Sequence, residues 1–271
     1  MFCSKCGTKL PNEVAFCTNC GSSITKNEIK TESDVTVSET SLPKTLLKPN
    51  DNRAKNTITW IYIVLALEIV ALISSLFQYS MLQVIASGNY VSEEATNAND
   101  IREGIIAFAY LIAWIVSAIV FIKWFRQAYF NLHKKVSNLS YTEGWAIASW
   151  FVPILCLYRP YRIMNDLYVE TKKLLMKKGV LNEESITTHS LSLWWTLWII
   201  STFIGNALFR HSLKAETTEQ LINNTIGYII SYIIDIPLCL ITIKVIKDYS
   251  KVEPLLLNIA DEENKELVKE A

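Results

Sequence analysis

The stretch ITWIYIVLALEIVALISSLFQYSM, from Ile58 to Met81, carries a single charged side chain, Glu68, and one amide, Gln78. The hydrocarbon core of a bilayer is about 30 Å thick, and a helix rising about 1.5 Å per residue crosses it in about 20 residues. This stretch is long enough. Three more of the same kind follow it. Gly104 to Phe125 has Lys123 as its one charge, Leu191 to Phe209 has none, and Leu221 to Ile243 contains Asp235 and Pro237. Four such stretches exceed what the buried helices of a soluble core explain. In hydrocarbon the backbone amides of each stretch must be satisfied within it, so all four are helices. The expected fold class is all-α: a polytopic membrane protein with four transmembrane helices, over about 58–81, 104–125, 191–209 and 221–243. Trp60, Trp124, Trp194, Trp195 and Trp198 lie toward span ends, where amphipathic rings favour the interface.

Composition agrees. The chain is 51% hydrophobic and 19% charged, below the roughly 25% charged residues of soluble domains. Its formal net charge is zero, so no broad basic field draws it to nucleic acid, and no nucleic-acid partner is expected. The first twenty residues hold charges and four cysteines rather than an apolar export core, and insertion is expected to be directed by the first span.

The basic residues alternate across the spans. Lys44, Lys48, Arg53 and Lys55 precede the first, and Arg102 stands alone against Glu93, Glu94, Asp100 and Glu103 between the first two. The middle segment carries Arg126, Lys134, Lys135, Arg159, Arg162, Lys172, Lys173, Lys177 and Lys178. Arg210 and Lys214 lie between the last two spans, and Lys247 and Lys251 follow the fourth. The positive-inside rule then puts both termini and the middle segment in the cytoplasm, with the protein in the cytoplasmic (inner) membrane.

At the N-terminus, Cys3-Ser-Lys-Cys6-Gly7 and Cys17-Thr-Asn-Cys20-Gly21 form two Cys-x-x-Cys knuckles. Each turn lets two thiolates reach one ion, and the glycine after it permits the backbone to aim amides at sulfur. Four thiolates give a closed tetrahedral site, so one structural Zn2+ on Cys3, Cys6, Cys17 and Cys20 is expected. Disulfides are disfavoured in a reducing cytoplasm, and so small a module does not suit a redox domain. A unit over 1–23 is too small to fold by burial alone, and the metal supplies its stability. It resembles the short zinc ribbons at the N-termini of many prokaryotic membrane and regulatory proteins. Residues 24–57, rich in Ser, Thr, Glu, Lys and Asn, read as a flexible linker. Residues 251–271 read as a cytoplasmic tail. Cys156 and Cys239 read as small buried hydrophobes.

Between the second and third spans, 145–178 is a non-spanning segment. Its uncharged run from Trp145 to Tyr158, with Pro153 inside, is too short to cross, and reads as either a re-entrant hairpin or an interfacial helix. Beyond Arg159-Pro-Tyr-Arg162, the residues Met164, Leu167, Tyr168, Thr171, Leu174 and Leu175 recur at helical spacing among cations. That pattern suits a helix lying on an anionic membrane surface, or equally one packed on the rest of the protein.

Lys123-Trp-Phe-Arg-Gln-Ala-Tyr-Phe-Asn131, Gly144-Trp-Ala-Ile-Ala-Ser-Trp-Phe-Val-Pro153 and Arg159-Pro-Tyr-Arg-Ile-Met164 resemble the signature of a bacterial membrane family, domain of unknown function 4328. The resemblance covers about 58–250. It implies a polytopic membrane fold without an assigned reaction, and marks Trp124, Arg126, Asn131, Trp150, Phe151, Pro153 and Pro160 as motif residues.

No phosphate loop, nucleophile elbow or His-Glu-x-x-His occurs, and His133, His189 and His211 are scattered. No enzyme is expected. Glu68 and Asp235 are the intramembrane acids of functional interest. Each falls roughly 15 Å into its span, near the midplane, where a charge needs a partner or a proton: either the two adjoin and share a proton or cation, or each is separately hydrogen-bonded to Ser, Thr or Tyr on a neighbouring helix. The sequence thus points to a non-enzymatic scaffold or sensor whose zinc ribbon contacts a protein partner. The alternative is a small ion- or proton-coupled transporter acting as a homo-oligomer.

Overall fold

A computed structural model describes residues 47–181 and 187–270 of the chain, with side chains through Ile259. Helix α1 spans Asp51–Ala86, α2 Glu93–His133, α3 Trp145–Ala148, α4 Arg159–Lys177, α5 His189–Ser212 and α6 Thr218–Glu270. A 3-10 turn covers Leu155–Leu157, and the described residues contain no strand. Helices α1, α2, α5 and α6 are each long and apolar enough to cross a membrane. The protein is an all-α, four-span structure of the polytopic membrane type.

The helices overrun their apolar windows. Residues 51–57, assigned by composition to the linker, are the opening turns of α1, and the segment from residue 251 to 270 continues α6. Hydropathy marks only the part that meets lipid, whereas elongating a nucleated helix costs little. Ser92 sets the start of α2, its hydroxyl accepting a hydrogen bond from the Ala95 amide, with Glu93 and Glu94 in the first turn. Helix α6 is continuous through Pro237 and Pro254.

Packing is most extensive between α1 and α6, α1 and α2, and α5 and α6. One stripe of α1 makes this possible: Ala54, Thr57, Ile61, Val64, Glu68, Ala71 and Ser75 are all buried, at alternating steps of three and four. Their small or β-branched side chains let neighbouring backbones approach, and the Thr57 hydroxyl donates to the Val120 carbonyl of α2 at 3.1 Å. Gly227 of α6 leaves room for the Leu208 side chain of α5, which a Cβ there would meet.

The bundle has two unlike ends. One, the loop end, carries the short connections after α1 and α5. The other, the basal end, carries the start of α1, the α3–α4 segment and the extension of α6. Aromatic rings fill the basal end. Trp124 and Trp194 are 0% and 2% exposed, so they are core residues and not the interfacial anchors their positions suggested. Phe121 lies among Trp124, Trp150 and Trp194, tilted to the first and last and edge-on to Trp150, and Trp150 meets Phe125, Trp195 and Trp198 edge-on. Helix α4 closes this end with Ile163, Met164, Leu167, Tyr168, Thr171 and Leu175 all buried, packed against α6 and α2. Its apolar face is therefore turned to the protein and not to a membrane surface, and Tyr168 donates to the Val245 carbonyl of α6 at 2.7 Å.

Residues 145–158 fold as α3, a tight turn and the 3-10 turn. Ile154 has φ +66° and ψ −46°, with the Leu155 amide donating to the Pro153 carbonyl, a γ-turn at positive φ that a β-branched residue adopts only under strain. The turn leaves Phe151 and Ile154 exposed.

Candidate functional site

Glu68 points inward because it occupies the small-residue stripe of α1, and it is 2% exposed. The Tyr110 hydroxyl of α2 donates to its Oε1 at 2.8 Å. On α6 the Ser231 hydroxyl, one turn earlier, donates to Asp235 Oδ2 at 2.8 Å. Ser201 on α5 lies near the same carboxyl. Glu68 and Asp235 lie within direct electrostatic reach of each other, and Cys239, one turn beyond Asp235, is within reach of both. Residues from all four spanning helices thus meet at two carboxyls.

The hydrogen bonding is incomplete. Glu68 Oε2 and Asp235 Oδ1 are buried without a donor among the described residues, and no ion pair to either carboxyl occurs among those residues. Lys244, which ends the fourth apolar stretch, pairs instead with Asp248. A lone carboxylate at membrane depth costs at least about 2.5 kcal/mol on insertion scales, and a second one within electrostatic reach adds repulsion. The arrangement is suited to holding one positive species, a proton or a cation, between two acids.

A polar trail leads from this site toward the loop end. Ser75 of α1 faces the Tyr232 hydroxyl, and Tyr232 is in electrostatic reach of both Glu68 and Glu103. Next to it, Arg102 donates to Ser74 and Asn99 at 2.8 and 2.6 Å, and Ser74 donates to Glu103 at 2.6 Å.

A second buried acid sits at the basal end. Glu253, 3% exposed, accepts from Asn50 at 3.1 Å on each oxygen and from Asn131 at 2.9 Å. Asn131 also grips the backbone of Lys48, donating to its carbonyl and accepting from its amide, while Asn50 donates to the Trp124 carbonyl. Ten residues past the apolar stretch, Glu253 lies outside the membrane-spanning part of α6. Burial pushes its carboxyl up to about 7, against the opposing pull of the Asn131 and Asn50 hydrogen bonds.

The motif residues divide by role. Trp124 and Asn131 are buried in this clasp and its aromatic surround, and Trp150 bridges α2 to α5. Pro160 is buried in the first turn of α4, where its missing amide hydrogen costs nothing. Arg126 is exposed and 3.5 Å from Glu143, while Phe151 and Pro153 are exposed in the strained turn. His133 contacts the Tyr141 carbonyl at 2.9 Å, and His189 and His211 are exposed. Sequence reasoning missed Glu253, Asn50, Tyr110 and Ser231. Glu253 continues the buried helical spacing of Val245, Ile246, Tyr249 and Val252, a signal hidden by placing it in a tail.

Cys3, Cys6, Cys17 and Cys20 lie outside the described residues; among those that are described, no cluster of three metal-ligating side chains occurs. A family model for a zinc-ribbon domain matches residues 2–24 and takes in all four cysteines. No curated protein and no solved structure matches the chain. The model for Domain of unknown function (DUF4328) matches residues 87–251, more than half of the chain, and begins after α1, later than the resemblance over 58–250 suggested. A zinc-ribbon domain and four apolar helices, two of them wholly and a third mostly within that match, are the parts of this protein, and the chain belongs to the DUF4328 family.

Proposed function

We propose that this protein is a non-enzymatic membrane sensor in which the Glu68–Asp235 pair binds a proton or monovalent cation and the zinc ribbon passes its state to a protein partner. The observation behind this reading is the gathering of hydroxyls from three helices, α2, α5 and α6, around two buried carboxyls, each with one oxygen left unmet. Binding a positive species satisfies both oxygens and draws α1 toward α6; releasing it leaves two like charges that push the helices apart. The aromatic cluster at the basal end touches α2, α5 and α6, so a shift at the pair changes ring packing there. In this reading the basal end and both termini face the cytoplasm, in keeping with the cations of the α2–α5 connection. The ribbon holds one structural zinc on Cys3, Cys6, Cys17 and Cys20, and the linker lets it reach a partner.

The test uses full-length protein in vesicles. Tryptophan fluorescence, followed against pH and sodium concentration, should show a saturable transition that Glu68→Gln with Asp235→Asn abolishes. A response identical in wild type and variant would end the proposal.

One feature favours a second reading. The trail from Glu103 through Tyr232 toward Glu68 gives a proton or cation a route to the pair from the loop end, as a coupled transporter acting as a homo-oligomer would need. Vesicles with an imposed pH gradient separate the two: a transporter dissipates it faster than protein-free vesicles, and a sensor does not.

A further inference from the structure

The face of α2 opposite its buried aromatics carries Lys123, Arg126, Gln127 and Phe130, at relative positions 0, +3, +4 and +7, one side of the helix. With Lys48 and Arg53 from the start of α1, they line a cavity of about 550 Å3 at the basal end, inside the roughly 300–1,000 Å3 range of ligand pockets. Four cations meet there against one acid among the described lining residues, Glu143. Its contact with Arg126, at 3.5 Å between exposed groups, neutralises little.

The cations are positioned from behind. Asn131 fixes the Lys48 backbone through two hydrogen bonds at 3.0 and 2.9 Å, and is itself fixed by buried Glu253. The Lys48 ammonium lies 5.5 Å from the Phe130 ring centre, and the Arg53 guanidinium donates to the Pro49 carbonyl. Both chains are thereby held at the cavity. Lys123 ends the apolar stretch of α2, so the cavity opens at the level where a bilayer presents its headgroups.

We propose that this cavity is a binding site for a phosphate group. Arg126 offers a planar fork matched to phosphate oxygens, Lys48, Arg53 and Lys123 supply further charge, and Gln127 adds an amide donor. The phosphate comes either from an anionic phospholipid headgroup or from a soluble phosphate ester; the chemistry recognised is the same.

Full-length protein in neutral detergent tests it. Native mass spectrometry with added phosphatidylglycerol or phosphatidylcholine reads lipid retention, and calorimetry with inorganic phosphate reads the free anion. The variants are Lys123→Gln with Arg126→Gln, the charge-preserving Lys123→Arg with Arg126→Lys, and a charge-matched control, Lys173→Gln with Lys177→Gln, on α4. Wild type should retain phosphatidylglycerol over phosphatidylcholine. The neutralised pair should weaken that binding about thirtyfold, at roughly fivefold per cation lost beside an anionic headgroup. The control and the charge-preserving pair should keep it. If inorganic phosphate binds wild type and not the neutralised pair, while phosphatidylglycerol shows no preference, the site stands and its ligand is soluble. Equal binding of both probes by wild type and neutralised pair overturns the proposal, as does equal loss in the α4 control.

Discussion

Titrating Glu253 should make the folded protein less stable as pH rises. The carboxyl sits at about 7 in the folded chain against an ordinary value of 4.5, because burial disfavours its charge more than the Asn50 and Asn131 amides favour it. Between those values the folded state holds a proton that the unfolded state has released. Stability is therefore full below about 4.5, falls as pH rises to about 7, and levels off above. Glu253 lies outside the membrane-spanning part of α6, so unfolding returns it to water and the ordinary value applies. At about 1.4 kcal/mol per pH unit, the loss across that window is roughly 3 kcal/mol. Asp51 opposes ionisation of Glu253 and Arg53 favours it, and Tyr249 of the same helix faces it as a neutral phenol. The assay is thermal unfolding of the full-length protein in detergent from pH 4.5 to 8, for wild type and Glu253→Gln. The difference between the two isolates this group: the wild-type midpoint should fall relative to the variant as pH rises. A difference that is flat, or that grows in favour of wild type, would refute the reasoning.

Three further outcomes follow from the same contacts. Asn131→Ala removes one hydrogen bond to a buried carboxyl and two to the Lys48 backbone, and should destabilise by about 3 kcal/mol, seen as a lowered unfolding midpoint; a change below about 1 kcal/mol would mean the clasp is dispensable. Full-length protein should contain one zinc per chain by elemental analysis, and Cys17→Ser with Cys20→Ser should remove it; metal-free wild type would contradict the four-thiolate site. Single cysteines introduced at Ser137 and Lys178, with the native cysteines replaced, should react with an impermeant reagent only from the cytoplasmic side; periplasmic reaction at Lys178 alone would make the segment between them a fifth span, and at both would reverse the orientation.

How far the sequence carried the structure differed from element to element. The four spans were legible because apolar length is a one-dimensional property, and Glu68 and Asp235 stood out because acids are rare in such stretches. That they come within electrostatic reach of each other was not legible. It depends on α1 and α6 packing face to face, although the three-and-four spacing of Ala54, Thr57, Ile61, Val64, Glu68, Ala71 and Ser75 already placed Glu68 on the packed side. Trp124 and Trp194 were read as interfacial because position along a span is visible in sequence, whereas the helix face is decided by neighbours. For α4, Met164, Leu167, Tyr168 and Leu175 fit a membrane surface or a protein surface equally well, and only the tertiary contacts with α6 and α2 decide. Glu253 was hidden because a charged residue beyond the last apolar stretch reads as solvated until Asn50 and Asn131, from distant segments, are brought to it.

The proposed sensor depends on Glu68 and Asp235 sharing one positive species. Infrared difference spectroscopy of the reconstituted protein, titrated with acid and separately with sodium at fixed pH, reads this through the carbonyl band of a protonated carboxyl. In a Glu253→Gln background, which removes the other buried protonated carboxyl, the protein should show one carboxyl band that disappears as the pair loses its proton or exchanges it for sodium, and Glu68→Gln and Asp235→Asn should each remove or displace it. Two independent carboxyl signals, each untouched by substitution of the other residue, would contradict a shared site.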